Sequence, residues 1–367
     1  MTMKYISKLA LAVASTFVGI PTYANAQHVS PLHASAVVSN NIAVHQHSIM
    51  LNAFKNFGGG LSSAIAYQNR TDTDITQNDD RLNQYGKMPI YGEKLNYGEY
   101  GDDGTVFSHG RNGGDGVAHH AATWLEWQHS DDKASFNNFD DIDSRSDLLS
   151  LGFSRASDFT SEKFSKVGGF GGVIVAHEDA DIMKLTETGG HIGVYYGYHN
   201  KNLNIQTAAN MGTLFTDAKS DYYKNDFSNL WLGAAANVSY DIMLDDFAVL
   251  QPGLYAGYTW VKTLGYNIVP GQNTSVSDFN ILELSPSVRA ATHIAYGWFA
   301  GISARYVFEF TDGGTASGLD ELGLKNYGEY GLSLEKNLSR FNISAMINRR
   351  DGGRTGWNGG VHIKCIF

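Results

Sequence analysis

The sequence predicts a twelve-stranded antiparallel transmembrane β-barrel, an all-β membrane fold, over residues 121–367. Apolar and polar residues alternate with a period of two through most of this region, which is typical of strands with one apolar and one polar face. Long and short connections alternate between the strands, and the closing strand is apolar on one side with aromatic residues at both ends. Both features are typical of outer-membrane barrels.

The closing strand, residues 356–367, shows the alternation without an intervening turn signal. One face has Trp357 at one end and Phe367 at the other, whereas the opposite face carries His362 and Lys364. Aromatic side chains at both ends suit the two interfaces of a membrane. An edge strand of a soluble β-sandwich would alternate in the same way, so this segment alone leaves both classes open.

Residues 1–26 have the features of a secretory signal peptide. Lys4 and Lys8 precede an apolar run over residues 9–20, and we expect cleavage after Ala26. This run is too short to cross a membrane as a helix, and no later stretch is apolar for long enough. We therefore expect an exported chain of the cell outer membrane that crosses with strands.

Composition narrows the function classes. A formal net charge of −10 argues against nucleic acid as a partner. The single cysteine, Cys365, permits no internal disulfide. A mean hydropathy of −0.24 does not argue against a membrane, because alternating strands average to moderate values.

The chain before the barrel divides into two parts. Residues 27–60 form a short N-terminal segment in which residues 36–57 lack Gly and Pro and place apolar residues on one helical face, so we predict a helix there. Residues 61–120 are rich in aspartate and glycine with little alternation, and we expect an irregular linker. A twelve-stranded barrel has room for about one helix, so the predicted helix could occupy the lumen.

Energetics predict which side chains face the lumen. An arginine facing lipid at the midplane costs about 2–4 kcal/mol, and an acid somewhat less. Four charged residues should therefore point inward, where they could form a charged network: Glu283, Arg289, Arg305 and Glu309.

The predicted strands are 121–129, 147–155, 166–176, 190–198, 203–215, 229–242, 248–261, 281–293, 297–310, 327–337, 341–349 and 356–367.

Connection lengths provide an independent test of the barrel. The long connections predicted after alternate strands are 130–146, 177–189, 216–228, 262–280 and 311–326. The intervening connections are mostly short, as at residues 199–202 and 338–340. Short periplasmic turns that alternate with longer outer loops favour a barrel over a soluble sandwich.

The pattern resembles the autotransporter β-domain family, in the helix at 36–57, the segments 190–198 and 250–258 and the closing strand. The resemblance implies insertion into a Gram-negative outer membrane, with Phe367 recognised by the barrel-assembly machinery. It also implies a barrel that brings an N-terminal passenger to the cell surface. Only a short segment separates the expected cleavage site from the helix, so we expect no substantial passenger.

Some members of that family cut their passenger free at an Asn-Asn pair on the lumen helix. Asn40 and Asn41 stand in the corresponding region, and the resemblance implies a possible cut between them. Such a cut needs an activating acid from the barrel wall, for which Glu283 or Glu309 are the candidates.

Other chemistry finds little support in the sequence. The histidines lack the spacing of metal ligands, and no nucleophile motif accompanies the acids. We expect no enzyme activity, no metal and no cofactor, with outer-membrane lipid, lipopolysaccharide and the barrel-assembly machinery as partners. The expected function is a translocator-like or structural surface protein. A small porin-like channel, or an adhesin acting through its outer loops, remains the alternative.

Overall fold

The computed structural model describes one helix and thirteen strand segments with their immediate connections. The described residues are 31–58, 121–135, 141–157, 163–180, 183–219, 224–245, 248–264, 278–295, 297–313, 325–338 and 341–366. The predicted signal peptide, the linker and the terminal Phe367 lie outside them. Among the described residues, no helix combines the length and the apolar character that a membrane span requires.

The elements are numbered here in chain order. They are α1 (Pro31–Gly58), β1 (Ala121–Ala134), β2 (Ile142–Ser157), β3 (Lys163–Ala180), β4 (Met183–Asn200), β5 (Leu203–Lys219), β6 (Lys224–Tyr240), β7 (Ile242–Asp245), β8 (Ala248–Leu264), β9 (Phe279–Ala295), β10 (Trp298–Gly313), β11 (Tyr327–Leu338), β12 (Phe341–Gly352) and β13 (Arg354–Ile366).

The strands form one closed antiparallel barrel. Each strand pairs with its neighbours in sequence, and β1 pairs with β13, so that Leu125 lies opposite Ile363. Strand β7 continues β6 beyond a break at Asp241, and both pair with β8. The thirteen segments therefore occupy twelve strand positions around the barrel, because β6 and β7 share one. The predicted fold class, a twelve-stranded antiparallel barrel, is confirmed.

Every second side chain faces outward and is apolar in the middle of the wall. In β1 the exposed and buried positions alternate along the whole strand, with Leu125 outside and Glu126 inside. Exposed outward residues include Leu151, Phe153, Ile192, Val194, Ile302 and Leu332. An apolar outer band over a polar interior is the arrangement that a membrane barrel requires.

Aromatic side chains flank this band at both ends. We call the end where β1 begins and β13 finishes the short-turn end, and the opposite end the long-loop end. Trp298 and Phe341 are exposed at the short-turn end, and Tyr330 and Trp357 toward the long-loop end. These positions match the aromatic girdles of outer-membrane barrels.

Three of the predicted long loops are wrong. Residues 130–146 belong mostly to β1 and β2, which are joined through residues 135–141. Residues 177–189 and 216–228 belong mostly to strands, because β3 and β4 are joined through residues 181–182 and β5 and β6 through residues 220–223. The hydrocarbon core requires only about 9–11 residues of a tilted strand. Beyond it both faces of a hairpin can be polar, so the hydrophobic alternation disappears while backbone pairing continues.

Helix α1 has 28 residues and lies inside the barrel. The helix predicted at residues 36–57 is therefore confirmed, and it begins earlier, at Pro31, a residue favoured at the first helical position. At about 1.5 Å per residue it is about 42 Å long, enough to cross the hydrocarbon core. Both its apolar side chains, such as Ile42 and Ile49, and its polar ones, such as Gln46, are buried, because the wall surrounds it.

Candidate functional site

The candidate site is the contact between helix α1 and the inner wall, and its first level lies at the long-loop end. Ser35 Oγ lies 2.7 Å from Thr263 Oγ1 near the end of β8. Arg354, at the start of β13, donates from Nη2 to the side-chain oxygens of Asn40 and Asn41, at 3.1 Å for Asn41. The beginning of the helix is thus held at the long-loop end.

The second level lies in the middle of the helix. His47 Nδ1 is 3.1 Å from Glu283 Oε2 on β9, and both side chains are almost completely buried. The Tyr255 ring of β8 meets the His47 ring edge-on, with 4.6 Å between centroids. A polar contact and a ring contact together orient this histidine toward the β8–β9 wall.

The third level lies toward the short-turn end. Lys55 Nζ is 3.0 Å from Glu126 Oε1 on β1, and the second Glu126 oxygen is 3.3 Å from His362 Nδ1 on β13. Asn52 donates to Gln128 Oε1 at 3.3 Å, and Gln206 Nε2 donates to the backbone carbonyl of Phe54 at 3.2 Å. The last turns of the helix therefore contact both sides of the lumen.

A chain of alternating charges runs around the wall beside the helix. Arg354 Nη1 is 3.6 Å from Asp132 Oδ1, and Arg350 bonds the other Asp132 oxygen. Arg350 Nε is 3.0 Å from Glu329 Oε2, and Arg305 Nη2 is 2.6 Å from Glu329 Oε1. These five residues come from β13, β1, β12, β11 and β10, and each buried charge has an opposite neighbour, which lowers the cost of burying it.

The four charged residues predicted from the sequence all lie on the inner wall but do not form one network. Arg305 pairs with Glu329, and Glu283 contacts His47. Glu309 is buried, and neither carboxylate oxygen has a hydrogen-bond partner among the described residues. Arg289 lines a cavity beside the helix.

Sequence reasoning missed Asp132, Glu329, Arg350 and Arg354. Asp132 falls in the predicted loop at 130–146, whereas the structure places it on β1 with its side chain inward. A usable signal exists, because the period of two continues from Glu126 through Asp132 at even positions, although the intervening residues become polar.

The Asn40-Asn41 pair lies in the lumen beside Arg354. Of the two acids considered as activators, Glu283 contacts His47, about two helical turns further along. Glu309 makes no side-chain hydrogen bond within the described part of the chain. The acid that the structure connects to the pair is Asp132, through Arg354.

No group of three or more histidine, cysteine or acidic side chains in the described strands and helix is placed to hold a metal ion.

Comparisons with known proteins identify the fold. No protein-family model matches the sequence, and a search of curated proteins finds no match. Among solved structures, the β-domain of the Bordetella autotransporter BrkA superposes with a TM-score of 0.56 at 14% identity, covering 67% of this chain and 98% of that chain. The translocator domain of the autotransporter NalP from Neisseria meningitidis gives 0.55 at 8% identity, covering 68% of this chain and 90% of that chain. The protein therefore has the fold of an autotransporter β-domain.

Proposed function

We propose that this protein is a translocator-like barrel of the Gram-negative outer membrane whose lumen is closed by its own helix α1. The observation that carries the proposal is the attachment of the helix to the wall at three levels, through Arg354, Glu283 and Glu126. A helix that merely filled space would not need buried polar partners on several strands. Outer-membrane lipid and lipopolysaccharide would contact the outward apolar band, and the barrel-assembly machinery would insert it.

The direction of the helix supports a translocator. Ser35 is held at the long-loop end and Lys55 toward the short-turn end, where β1 begins. In outer-membrane barrels the short turns face the periplasm and the longer loops face outward. In that orientation helix α1 begins on the outer side of the lumen, as a helix that follows a translocated segment would.

Conductance of the purified protein in a planar bilayer tests the closure. We expect the full chain to be almost silent and a variant lacking residues 27–60 to conduct, because twelve strands enclose more space than side chains alone fill. A peptide with the sequence of residues 31–58 should close the deletion variant again, whereas a scrambled peptide should not. Equal conductance with and without the helix would contradict the proposal and favour a solute channel.

A second candidate function is self-cleavage between Asn40 and Asn41, which their contact with Arg354 favours. Arg354 binds both side-chain amides through their oxygens, which leaves the nitrogens unoccupied by that contact. In the reaction, Asn40 Nδ2 would attack its own backbone carbonyl carbon and lose a proton. The Asn40–Asn41 peptide bond would break, Asn40 would end as a succinimide and Asn41 would gain a protonated amine.

Mass spectrometry of protein extracted from outer membranes tests the cleavage. We expect a chain that begins at Asn41, its loss in Asn40→Gln, and a large decrease in Arg354→Gln. Lys133→Gln, which changes an exposed residue on the same strand as Asp132, should leave the cut unaffected. Recovery of only uncut chains would exclude cleavage without affecting the closure of the lumen.

A further inference from the structure

Helix α1 fills only part of the lumen. Its backbone lies nearest to β4, β5, β6 and β8. A cavity of about 230 Å³ lies between residues 48–55 and the inner wall, most of it against β8 to β12. At roughly 30 Å³ per molecule this volume corresponds to about eight waters. It is smaller than most drug-sized pockets and suits a ligand of a few heavy atoms.

Neutral hydrogen-bonding groups line most of this cavity. Ser287, Ser303 and Ser333 come from three adjacent strands, and amide side chains such as Gln251 and Asn348 add both donors and acceptors. Hydroxyl and amide groups can bind either water or the oxygens of a small solute. The cavity is therefore lined largely by polar groups, and its charged residues determine which class of solute it would bind.

Two of the three cations at the cavity already have partners. Lys55 is 3.0 Å from Glu126, and Arg305 is 2.6 Å from Glu329. Each of these ion pairs leaves little net charge toward the cavity.

Arg289 differs from them. Its neighbours directly across the strands are Gln251 on β8 and Ser303 on β10, neither of which is acidic. The buried carboxylates of Glu335 and Asp241 act on it electrostatically, but neither forms an ion pair or hydrogen bond with it among the residues that the structure describes. A partly buried guanidinium with no carboxylate in direct contact has lost hydration without gaining a hydrogen-bonded counter-ion, and an anion in the cavity would supply one.

We propose that this cavity binds a small oxyanion, a phosphate or a carboxylate, at Arg289. The planar guanidinium presents parallel N–H donors that match two oxygens of either group. Ser287, two residues earlier on the same inner face, and Ser303, directly opposite, lie where their hydroxyls can donate to the remaining oxygens. The inference goes beyond the proposed closure of the lumen and does not depend on translocation.

Calorimetric titration of the purified full-length barrel tests the site, with inorganic phosphate and acetate as separate probes in a chloride buffer. We expect saturable binding of at least one probe with one site per chain. Arg289→Gln should weaken binding at least tenfold. Ser303→Asp should do the same while keeping the arginine, because the new carboxylate lies directly opposite and pairs with it.

Arg349→Gln is the matched control, since Arg349 lies on the outward face of β12 over the Trp357 ring. It removes the same charge outside the lumen and should bind as the wild type does. Resistance of each variant to unfolding in dodecyl sulfate at room temperature establishes that the barrel is folded.

Absence of saturable binding of both probes, or equal weakening by Arg349→Gln, would overturn the proposal. A response to acetate but not phosphate would assign the site to carboxylates, and the reverse would assign it to phosphates.

Discussion

Lys55, near the end of helix α1, lies 3.0 Å from Glu126 on the first strand, and this ion pair joins the helix to the wall where the barrel begins. Glu126 also contacts His362 of the last strand, at 3.3 Å. One carboxylate therefore links the helix to both strands that close the ring.

Replacement of Glu126 by Gln should loosen the helix. The change removes the counter-ion of Lys55, whose side chain is 27% exposed, so partial hydration reduces the cost to about 1–3 kcal/mol. We expect brief openings in a planar bilayer and a lower unfolding midpoint. Asp179→Asn breaks an exposed pair with Lys184 and should change neither quantity. A variant as silent and as stable as the wild type would show that this ion pair does not hold the helix.

Replacement of Arg350 by Met should strongly destabilise the barrel. Arg350 is 1% exposed and bonds both Asp132 and Glu329, so its loss leaves two buried carboxylates with fewer partners. Breaking a buried pair typically costs about 3–5 kcal/mol. Urea unfolding in lipid vesicles measures the effect. Arg145→Met removes an exposed partner of Asp131 and should cost less than about 1 kcal/mol. Similar costs for both variants would contradict the structural role of the charge chain.

Replacement of Glu187 by Gln should stabilise the barrel. Glu187 is fully buried, and neither carboxylate oxygen has a hydrogen-bond partner in the described part of the chain. An amide of the same shape has no charge to bury and no carboxylate to protonate on folding, so the thermal midpoint should rise. Asp179→Asn, on the exposed side of the adjoining strand, serves as the control. A decrease for Glu187→Gln would instead indicate that the carboxylate is held by a bound cation or a shared proton.

Replacement of Ile192 by Arg should disturb membrane insertion. Ile192 is 63% exposed on the outward apolar band, and arginine on the lipid face near the midplane costs about 2–4 kcal/mol. Unfolding free energies measured in lipid vesicles should fall by that amount. Thr186→Arg, on the same face of β4 but near the long-loop end, should cost at most about 1 kcal/mol. Equal effects at the two positions would argue against an outward band that meets hydrocarbon.

The inward direction of Arg305 could be predicted from the sequence, because successive side chains of a strand point to opposite faces and a charge avoids lipid. The ends of β3 and β4 could not, because strands that project into water no longer need apolar residues on one face. For the same reason the sequence predicted Asp132 to lie in a loop: the outward residues beside it are polar, so the apolar–polar alternation ends before the strand does.

The sequence by itself determined the class of the protein: twelve alternating strands, one helix before them and the inward direction of charged residues in the middle of the wall, such as Arg305. Only the tertiary structure decided which of those side chains meet. Asp132 and Arg350 are 218 positions apart, and Asn41 and Arg354 are 313 apart. Their contacts depend on how strand register closes the ring and on how the helix is seated inside it. Neither is encoded in any local pattern, because period-two alternation specifies a face and not a partner.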